Sequence, residues 1–493
     1  MKTLKPQIIN YTECLNYVKK HFRADINTDI IIRELKSVDN VDFFIAFIDG
    51  MVNTSVVNDY IVRPIMLSNS KDKKSVDLVV EFGNFSMTDD IDSACSRVLN
   101  GDTIIFMNGA ESCGVCETKG FDKRSVSSPE TENVVKGSHE GFNESIRSNI
   151  TLIRRAVKSN ELITEMITVG NLSNEICGVL YLDGVTNSEL VEEVKRRIKG
   201  IKGDYYSGSG MIEQMIEDSK FSIFPTVLST ERPERAAYYL AAGRVVVVCD
   251  NSPFAIIVPI TASELFDSPE GNQQRWQSGT LAKLIRIFAF LCATLLSGLY
   301  IAMLNFHREM LPAQLLKIIS ESRALIPFTA MSELIIMEVF FELVREAGLR
   351  IPSAIGSAVG VVSGLILGQA AVNASIVSPV TLIIVAITGI ANAAIPDYDL
   401  ALGIRITKFG LIILSGMFGL LGFSIGLVLL TLMLCSQHSF GVDMANRSGL
   451  RSTPAGALVQ TPLWMQELRT KYLKPKKSRQ QPNYSRSWER KDK

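Results

Sequence analysis

The chain has 493 residues, enough for two or three domains, and its 51 basic and 51 acidic side chains leave no formal net charge. Such a balance supplies no overall basic character for gripping nucleic acid, and four histidines far apart in sequence (His21, His139, His307, His438) give no metal-ligand spacing. The charge is nevertheless uneven, because residues 436–493 hold 12 Lys/Arg against 4 Asp/Glu, while long charge-free runs crowd between Ile285 and Cys435.

Lys2, Lys5, Lys19 and Lys20 open the chain, but no apolar core of the secretory type follows them. The N-terminal region, about 280 residues by the change in pattern, is therefore expected to be water-soluble and to stay in the cytoplasm. Short β-rich runs punctuate it, and residues 42–48, 103–107, 176–182 and 244–249 read as strands. Two pairs of these segments look alike. Phe47-Ile48-Asp49-Gly50 with Asn53-Thr54 parallels Tyr181-Leu182-Asp183-Gly184 with Asn187-Ser188, and the run 101–106 parallels 243–248, at offsets of 134 and 142 residues. Order and spacing both repeat, so two tandem α/β subdomains are expected, over 1–122 and 123–280, joined through the polar stretch 123–141.

Chemistry is sparse in this half. Cys113-Gly114-Val115-Cys116 is a lone Cys-x-x-Cys, which cannot complete a tetrahedral zinc site by itself and reads as an incidental pair in a loop. The eight cysteines resemble small buried hydrophobes and not a disulfide framework. Thr230-Glu231-Arg232-Pro233-Glu234 places Pro233 at a helix start, where a capped helix with a local Glu–Arg pair explains the charges as well as catalysis does. Gly208-Ser209-Gly210 is a turn before an amphipathic helix. No phosphate-cradling loop, metalloprotease helix or nucleophile elbow occurs, so no catalytic, cofactor-binding or metal-binding residue is assigned and no enzyme is expected.

Beyond Gln274 the pattern becomes that of a membrane protein. Residues 285–304, 354–377, 380–395 and 409–435 are each apolar enough for a spanning helix. A fifth segment, 327–344, is apolar by count but carries Glu333, Glu338 and Glu342, followed by Arg345 and Glu346. A central charge costs about 2.5–3.5 kcal/mol on insertion scales, so this helix is expected to be sheltered in a bundle, to line a wet cavity, or to lie at the interface. Four crossings would return the basic tail, 437–493, to the cytoplasmic side with the N-terminal region. Gly356, Gly360, Gly364 and Gly368 recur every fourth residue and form a smooth stripe for close helix approach, within one bundle or between subunits. Gly416, Gly419, Gly422 and Gly426 repeat this loosely in the last span, and residues 474–493 are expected to be disordered. Glu338, Glu342 and Glu346 are four apart on one face, with Glu333 off it. They are candidates to line or gate a cation path, as acidic rings do in cation channels, or to pair internally with Arg345, Arg350 or Arg323.

The strongest signal is a series of motifs. Pro129-Glu130-Thr131-Glu132-Asn133-Val134-Val135-Lys136-Gly137 is followed by Glu140-Gly141-Phe142-Asn143-Glu144 and Asn149-Ile150-Thr151-Leu152-Ile153-Arg154-Arg155. Phe224-Pro225, the run 230–234, Asp250-Asn251-Ser252-Pro253 and Val258-Pro259 come next. Then follow Phe306-His307-Arg308-Glu309-Met310-Leu311-Pro312, Ser322-Arg323, Ile326-Pro327-Phe328, Arg345-Glu346-Ala347-Gly348-Leu349-Arg350-Ile351-Pro352 and Gly368-Gln369-Ala370-Ala371-Val372. Together these resemble the A subunits of bacterial spore germinant receptors, the GerA family, from about Asp42 to Gly441. Ser138, His139, Ala156 and Val442-Asp443 depart from the family pattern.

The resemblance implies a subunit that works with a transporter-like B subunit and a lipoprotein C subunit in the spore inner membrane. Such a complex senses nutrients and triggers release of cations and calcium dipicolinate, and the A subunit is expected to form homo-oligomers that conduct ions. Other readings remain: an accessory relative that modulates dipicolinate movement without sensing nutrients, a secondary transporter, or a membrane-anchored scaffold. Four or five spans are few for a transporter.

Overall fold

A computed structural model of the chain describes residues 10–69, 75–80, 82–120, 128–129, 131–351, 364, 366, 368–445 and 459–480. After helix α1 (Tyr11–Phe22) come strands β1 (Ile30–Lys36) and β2 (Asp42–Ile48), then the short helices α2 (Thr54–Val57) and α3 (Arg63–Leu67). Strand β3 (Phe85–Thr88), helix α4 (Ile91–Val98), and strands β4 (Thr103–Met107) and β5 (Cys113–Cys116) complete a first unit. The second runs through α5 (Ile146–Ala156), β6 (Leu162–Val169), β7 (Glu175–Leu182), α6 (Ser188–Lys199), α7 (Ser209–Ile216), β8 (Leu228–Thr230), α8 (Pro233–Ala241), β9 (Val245–Cys249) and β10 (Ala255–Val258).

Each unit holds a five-stranded sheet, ordered β1-β2-β4-β5-β3 in one and β6-β7-β9-β10-β8 in the other. Every pairing in both is antiparallel. The matched sequence segments occupy equivalent places: Phe47-Ile48 and Tyr181-Leu182 end β2 and β7, and the second pair leads into β4 and β9. Asn53 and Asn187 accept from backbone N–H groups of the helices that follow, as the Asn-Thr/Ser spacing predicts. Both faces of each sheet are covered, which explains strands that are apolar throughout, such as the fully buried Val245–Cys249.

Arg154 joins the two units. This buried α5 side chain donates from Nε and Nη2 to both oxygens of Asp29 at 2.6 and 2.9 Å, and from Nη2 to the Leu162 carbonyl at 2.8 Å. Asn27 adds a bond to the Thr164 amide at 3.0 Å.

The helical part comprises α9 (Trp276–Phe306), α10 (Ala313–Arg323), α11 (Ala330–Arg350), α12 (Pro379–Ala393) and α13 (Tyr398–Cys435). By length and composition α9 and the continuous helical run α13 are long and apolar enough to cross a membrane, with mean hydropathies of 2.2 and 2.4 over their most apolar 18 residues, while α12 is a shorter apolar helix. The expected span at 354–377 lies largely outside the described residues, although 368–373 are helical.

The last span differs from the single crossing expected over 409–435. Its helix begins earlier, at Tyr398, and breaks at Gly419, where φ is +61° and ψ −140°. A Cβ on Gly422 would collide with the Leu414 carbonyl, and one on Gly426 would lie 3.0 Å from Leu411. Residues eight and fifteen apart on a straight helix stand about 12 and 22 Å from each other, so the chain has doubled back. α13 is a helical hairpin, its arms 398–418 and 420–435 packed together through glycine. Glycine is needed at the turn because that backbone region is closed to L side chains.

Both ends of α13 consequently return to the second sheet unit. Leu400, Ala401 and Ile404 share a core with Phe224, Leu240, and Ala289 and Ala293 of α9. After Cys435, Ser439 Oγ accepts from the Ile260 amide at 3.1 Å and the Met444 carbonyl from Ala262 at 2.9 Å. The tail therefore lies on the same side of the bundle as the sheets. Disorder from Lys474 onward is corrected for 474–480. Leu473 is buried, the Lys476 amide donates to the Val185 carbonyl at 2.9 Å, and Lys477 meets Glu161 at 2.6 Å. The excess positive charge of the tail finds acidic partners on the second unit; residues 481–493 lie outside the described set.

Candidate functional site

Two charged assemblies stand out, one beneath the bundle and one inside it. The lower one is built by two sequence motifs that find each other. Pro233 starts α8 with no side-chain cap of its own, and Glu132, 98 residues before Thr230, holds the segment that leads into it. Its Oε2 accepts from Thr230 Oγ1 at 2.5 Å and from the Glu231 amide at 3.1 Å, and its Oε1 from Arg235. Glu231 returns the contact, accepting from the Thr131 amide and hydroxyl at 3.2 and 2.9 Å. A carboxylate beside the start of a helix suits the helix dipole. The expected local Glu–Arg pair within 230–234 is thus corrected: the partners come from the connecting segment. The arrangement is a clamp.

Arg235 extends the clamp toward the helices. Its Nη2 donates to the Asp267 carbonyl at 2.9 Å, and the Asp267 carboxylate accepts from Lys283 of α9 at 2.7 Å. Burial works against the Arg235 charge, but Glu132 outweighs it and raises the pKa, so the guanidinium stays protonated. Glu132, Arg235, Asp267 and Lys283 form a continuous line from the connecting segment to the first apolar helix.

The upper assembly lies among α9, α11, α12 and α13. Glu338 is fully buried and meets Lys408 at 2.5 Å, with Ser297 and Thr388 donating to its other oxygen at 3.1 and 3.4 Å. Glu333, equally buried, accepts from the Ser378 amide at 2.6 Å and lies 3.4 Å from Arg323. Glu342 pairs with Arg345 at 2.8 Å and Arg405 at 3.4 Å, and Glu346 pairs with Arg350 at 2.7 Å at the exposed end. The buried face of α11 is Ala330, Glu333, Leu334, Met337 and Glu338. Four-residue steps advance about 40° each around a helix, so the 338-342-346 row winds out of the bundle, whereas Glu333 and Glu338 flank its buried face.

Lys408, Arg405 and Ser297 were not singled out by sequence reasoning. Lys408 immediately precedes the charge-free run and reads as its boundary; a cation between Ile404 and Leu411 at helical spacing was the available signal. Of the glycine stripe, Gly356 and Gly360 lie outside the described residues. Gly364 faces open space and Gly368 packs on Leu382, 3.4 Å from where a Cβ would sit.

Cys113 and Cys116 are on strand β5, not in a loop. They project into the two opposite cores of the first sheet, as period-two alternation requires, so they cannot act as a pair. Burial pushes both thiols up to about 12.

In sequence, the similarity to known proteins extends over almost the full length. The family model described as "Bacillus/Clostridium GerA spore germination protein" matches residues 16–472. Spore germination protein KA of Bacillus subtilis (strain 168) is 34% identical over 504 residues, covering 99% of this chain and 93% of that one. The uncharacterized membrane protein YfkQ of the same organism is 33% identical over 445 residues, covering 89% and 86%. A crystal structure of the N-terminal domain of the A subunit of the Bacillus megaterium spore germinant receptor GerK3 matches with 26% identity and a TM-score of 0.39, over 52% of this chain and 97% of that one. With its clamp motifs, its α/β N-terminal region and its helical C-terminal part, the chain belongs to the GerA family of spore germination proteins.

Proposed function

We propose that this chain is the membrane-embedded A subunit of a nutrient-responsive spore germination receptor, acting with B and C subunits in the spore inner membrane. The observation that carries this reading is the inverted polarity of the helical part. Its exterior is apolar and exposed, with Ile406, Ile413, Met417, Phe418, Leu421 and Leu432 uncovered on α13, while Glu338, Lys408 and Glu333 are buried inside. An apolar face of that extent calls for lipid or another subunit, and charges at membrane depth mark ion pathways. In this reading the soluble part faces the cytoplasm as two related subdomains, 1–122 and 123–280, supported by their common strand order. A bundle over 281–436 and a basic tail over 437–493 follow. Homo-oligomers, with the open face at Gly364 at the contact, would bring several α11 helices around one cation path. Among the described residues, the buried oxygens Glu342 Oε1 and Ser415 Oγ have no hydrogen-bond partner, which supports a wet seam.

A second reading is favoured by one specific observation. Each glutamate of α11 is paired with a base of the same chain, which suits an accessory relative that modulates dipicolinate or ion movement without sensing nutrients. Nutrient-triggered dipicolinate release from spores lacking the protein tests both. Loss of the response to one nutrient class is expected for a receptor subunit. An undiminished response across amino acids, sugars and nucleosides would favour the accessory relative or a second receptor for the same nutrients.

A further inference from the structure

The loop between α7 and β8 carries the most exposed large apolar side chain among the described residues, Phe221, at 96%. This exposure is not slack in the chain, because both ends of the loop are fastened. At one end the Asp218 carboxylate accepts from Arg197 Nη2 at 2.6 Å and from the amide of Phe440, just beyond α13, at 2.5 Å. At the other, Ser222 Oγ accepts from the Phe224 amide at 3.1 Å, and Phe224 is buried with Leu400, Ala401 and Ile404 of α13. The Ile223 carbonyl lies so near α13 that a Cβ on Gly403 would come within 2.5 Å of it. Phe221 is thus held between points fixed to both ends of the helical hairpin.

The contact at Gly403 marks where the sheet unit stops covering α13. Positions three, seven, ten and fourteen residues further on return to within about 80° of the same face. There Ile406, Ile413 and Met417 are exposed, and a Cβ on Gly410 would meet open space. In the membrane-embedded reading proposed above, on which this inference rests, that uncovered apolar face meets lipid, and its lower rim runs past Phe221. Tyr398, at the start of the same arm, is exposed. Lys220, next to Phe221, is exposed as well and forms no ion pair among the described residues. An aromatic ring with a cation beside it, at the edge of an apolar band, suits the boundary between acyl chains and headgroups. We propose that the 218–222 loop docks on the bilayer around α13, with the Phe221 ring at the acyl boundary and the Lys220 ammonium on a lipid phosphate.

The test is tryptophan fluorescence of full-length Phe221→Trp in phosphatidylcholine–phosphatidylglycerol vesicles. Their acyl chains carry bromine, a collisional quencher, either near the headgroup or deep in the chain. Subtracting the wild-type signal in the same lipids removes the native tryptophans. Ile413→Trp is the reference: ten residues beyond Gly403, or about 15 Å, it belongs near the middle of a ~30 Å hydrocarbon core. Both side chains are exposed, so the substitutions leave the core intact. Interfacial groups lie ~5–10 Å deep, so the added emission at position 221 should be quenched mainly by the shallow bromines, and that at 413 mainly by the deep ones. Quenching at 413 with none at 221 would overturn the docking and leave the membrane-embedded reading standing. No quenching at either position would overturn both. Quenching at 221 mainly by the deep bromines would overturn the interfacial placement. Lys220→Glu added to Phe221→Trp should lessen the shallow quenching, because lipid phosphate repels a carboxylate; an unchanged value would overturn the part assigned to Lys220.

Discussion

The Glu338–Lys408 pair offers the sharpest test of the bundle interior. Both side chains are buried, to 0% and 3% exposure, and their charges meet at 2.5 Å. Lys408→Met leaves the Glu338 carboxylate with only the Ser297 and Thr388 hydroxyls, and Glu338→Gln leaves an ammonium with no counter-charge. Removing one partner of a buried pair costs about 3–5 kcal/mol, whereas replacing both by neutral groups of similar volume is often neutral or stabilising. Each single variant should therefore be destabilised by several kcal/mol, and the double variant should recover most of the loss. The coupling energy is expected to be at least about 3 kcal/mol, far above the ~0.5 kcal/mol scatter of independent sites. Denaturation midpoints of the purified full-length protein, wild type, both singles and the double, give the cycle directly. Losses that simply add would refute the idea that these two groups neutralise each other in the folded bundle.

Arg154→Ala should destabilise the soluble region by about 3–5 kcal/mol, because it strands the buried Asp29 carboxylate; limited proteolysis should then cut between the two sheet units first, and unchanged protection would count against the join. Gly419→Ala places a Cβ 2.8 Å from Phe306 at a positive φ and should cost about 1–3 kcal/mol; an unaffected unfolding midpoint would contradict the hairpin turn. Burial pushes the Glu213 carboxyl up to about 8 from 4.5, with Asp399, Glu217 and Asp397 adding to the rise against a bond from Ser229. A raised pKa means the folded state holds the proton more tightly, so its stabilising contribution is complete below about pH 4.5 and is lost as pH rises toward 8. Glu213→Gln should flatten that slope in a pH series of unfolding midpoints, and an identical slope would remove Glu213 as the cause. Cys113 and Cys116 should resist maleimide labelling until the protein unfolds; labelling of both in the native state would show that β5 is not buried.

Much of the soluble architecture was legible because strand–turn–cap chemistry is local. An apolar run, an Asp-Gly turn and an asparagine cap name their own structure, and their recurrence at a nearly constant offset marks two units of equal strand order. The sequence could not reveal what depends on distant partners. Cys113-x-x-Cys116 has loop-like punctuation, and only the pairing of β5 with β3 and β4 puts its two thiols in different cores. The run 409–435 is charge-free throughout, so nothing in its hydropathy marks a turn; the fold-back depends on Gly419 meeting Phe306 and on Gly422 and Gly426 admitting the first arm. The four glutamates were visible, but their partners were only partly so. Arg323, Arg345 and Arg350 are near in sequence, whereas Lys408 and Arg405 come from another helix and look like a boundary from sequence alone.

The two charged assemblies share one rigid element. Lys283, held by Asp267 at the base, and Ser297, bonded to Glu338 in the bundle, are both on α9, fourteen residues or about 21 Å apart. At the base, Arg235 and Asp267 link the clamp to the start of that helix. At its far end the same helix donates to the carboxylate that neutralises Lys408, and its last residue packs on the α13 turn at Gly419. The charges of the bundle are thus tied to the soluble units by side chains that are themselves buried and paired. One continuous helix therefore carries a partner of each charged assembly.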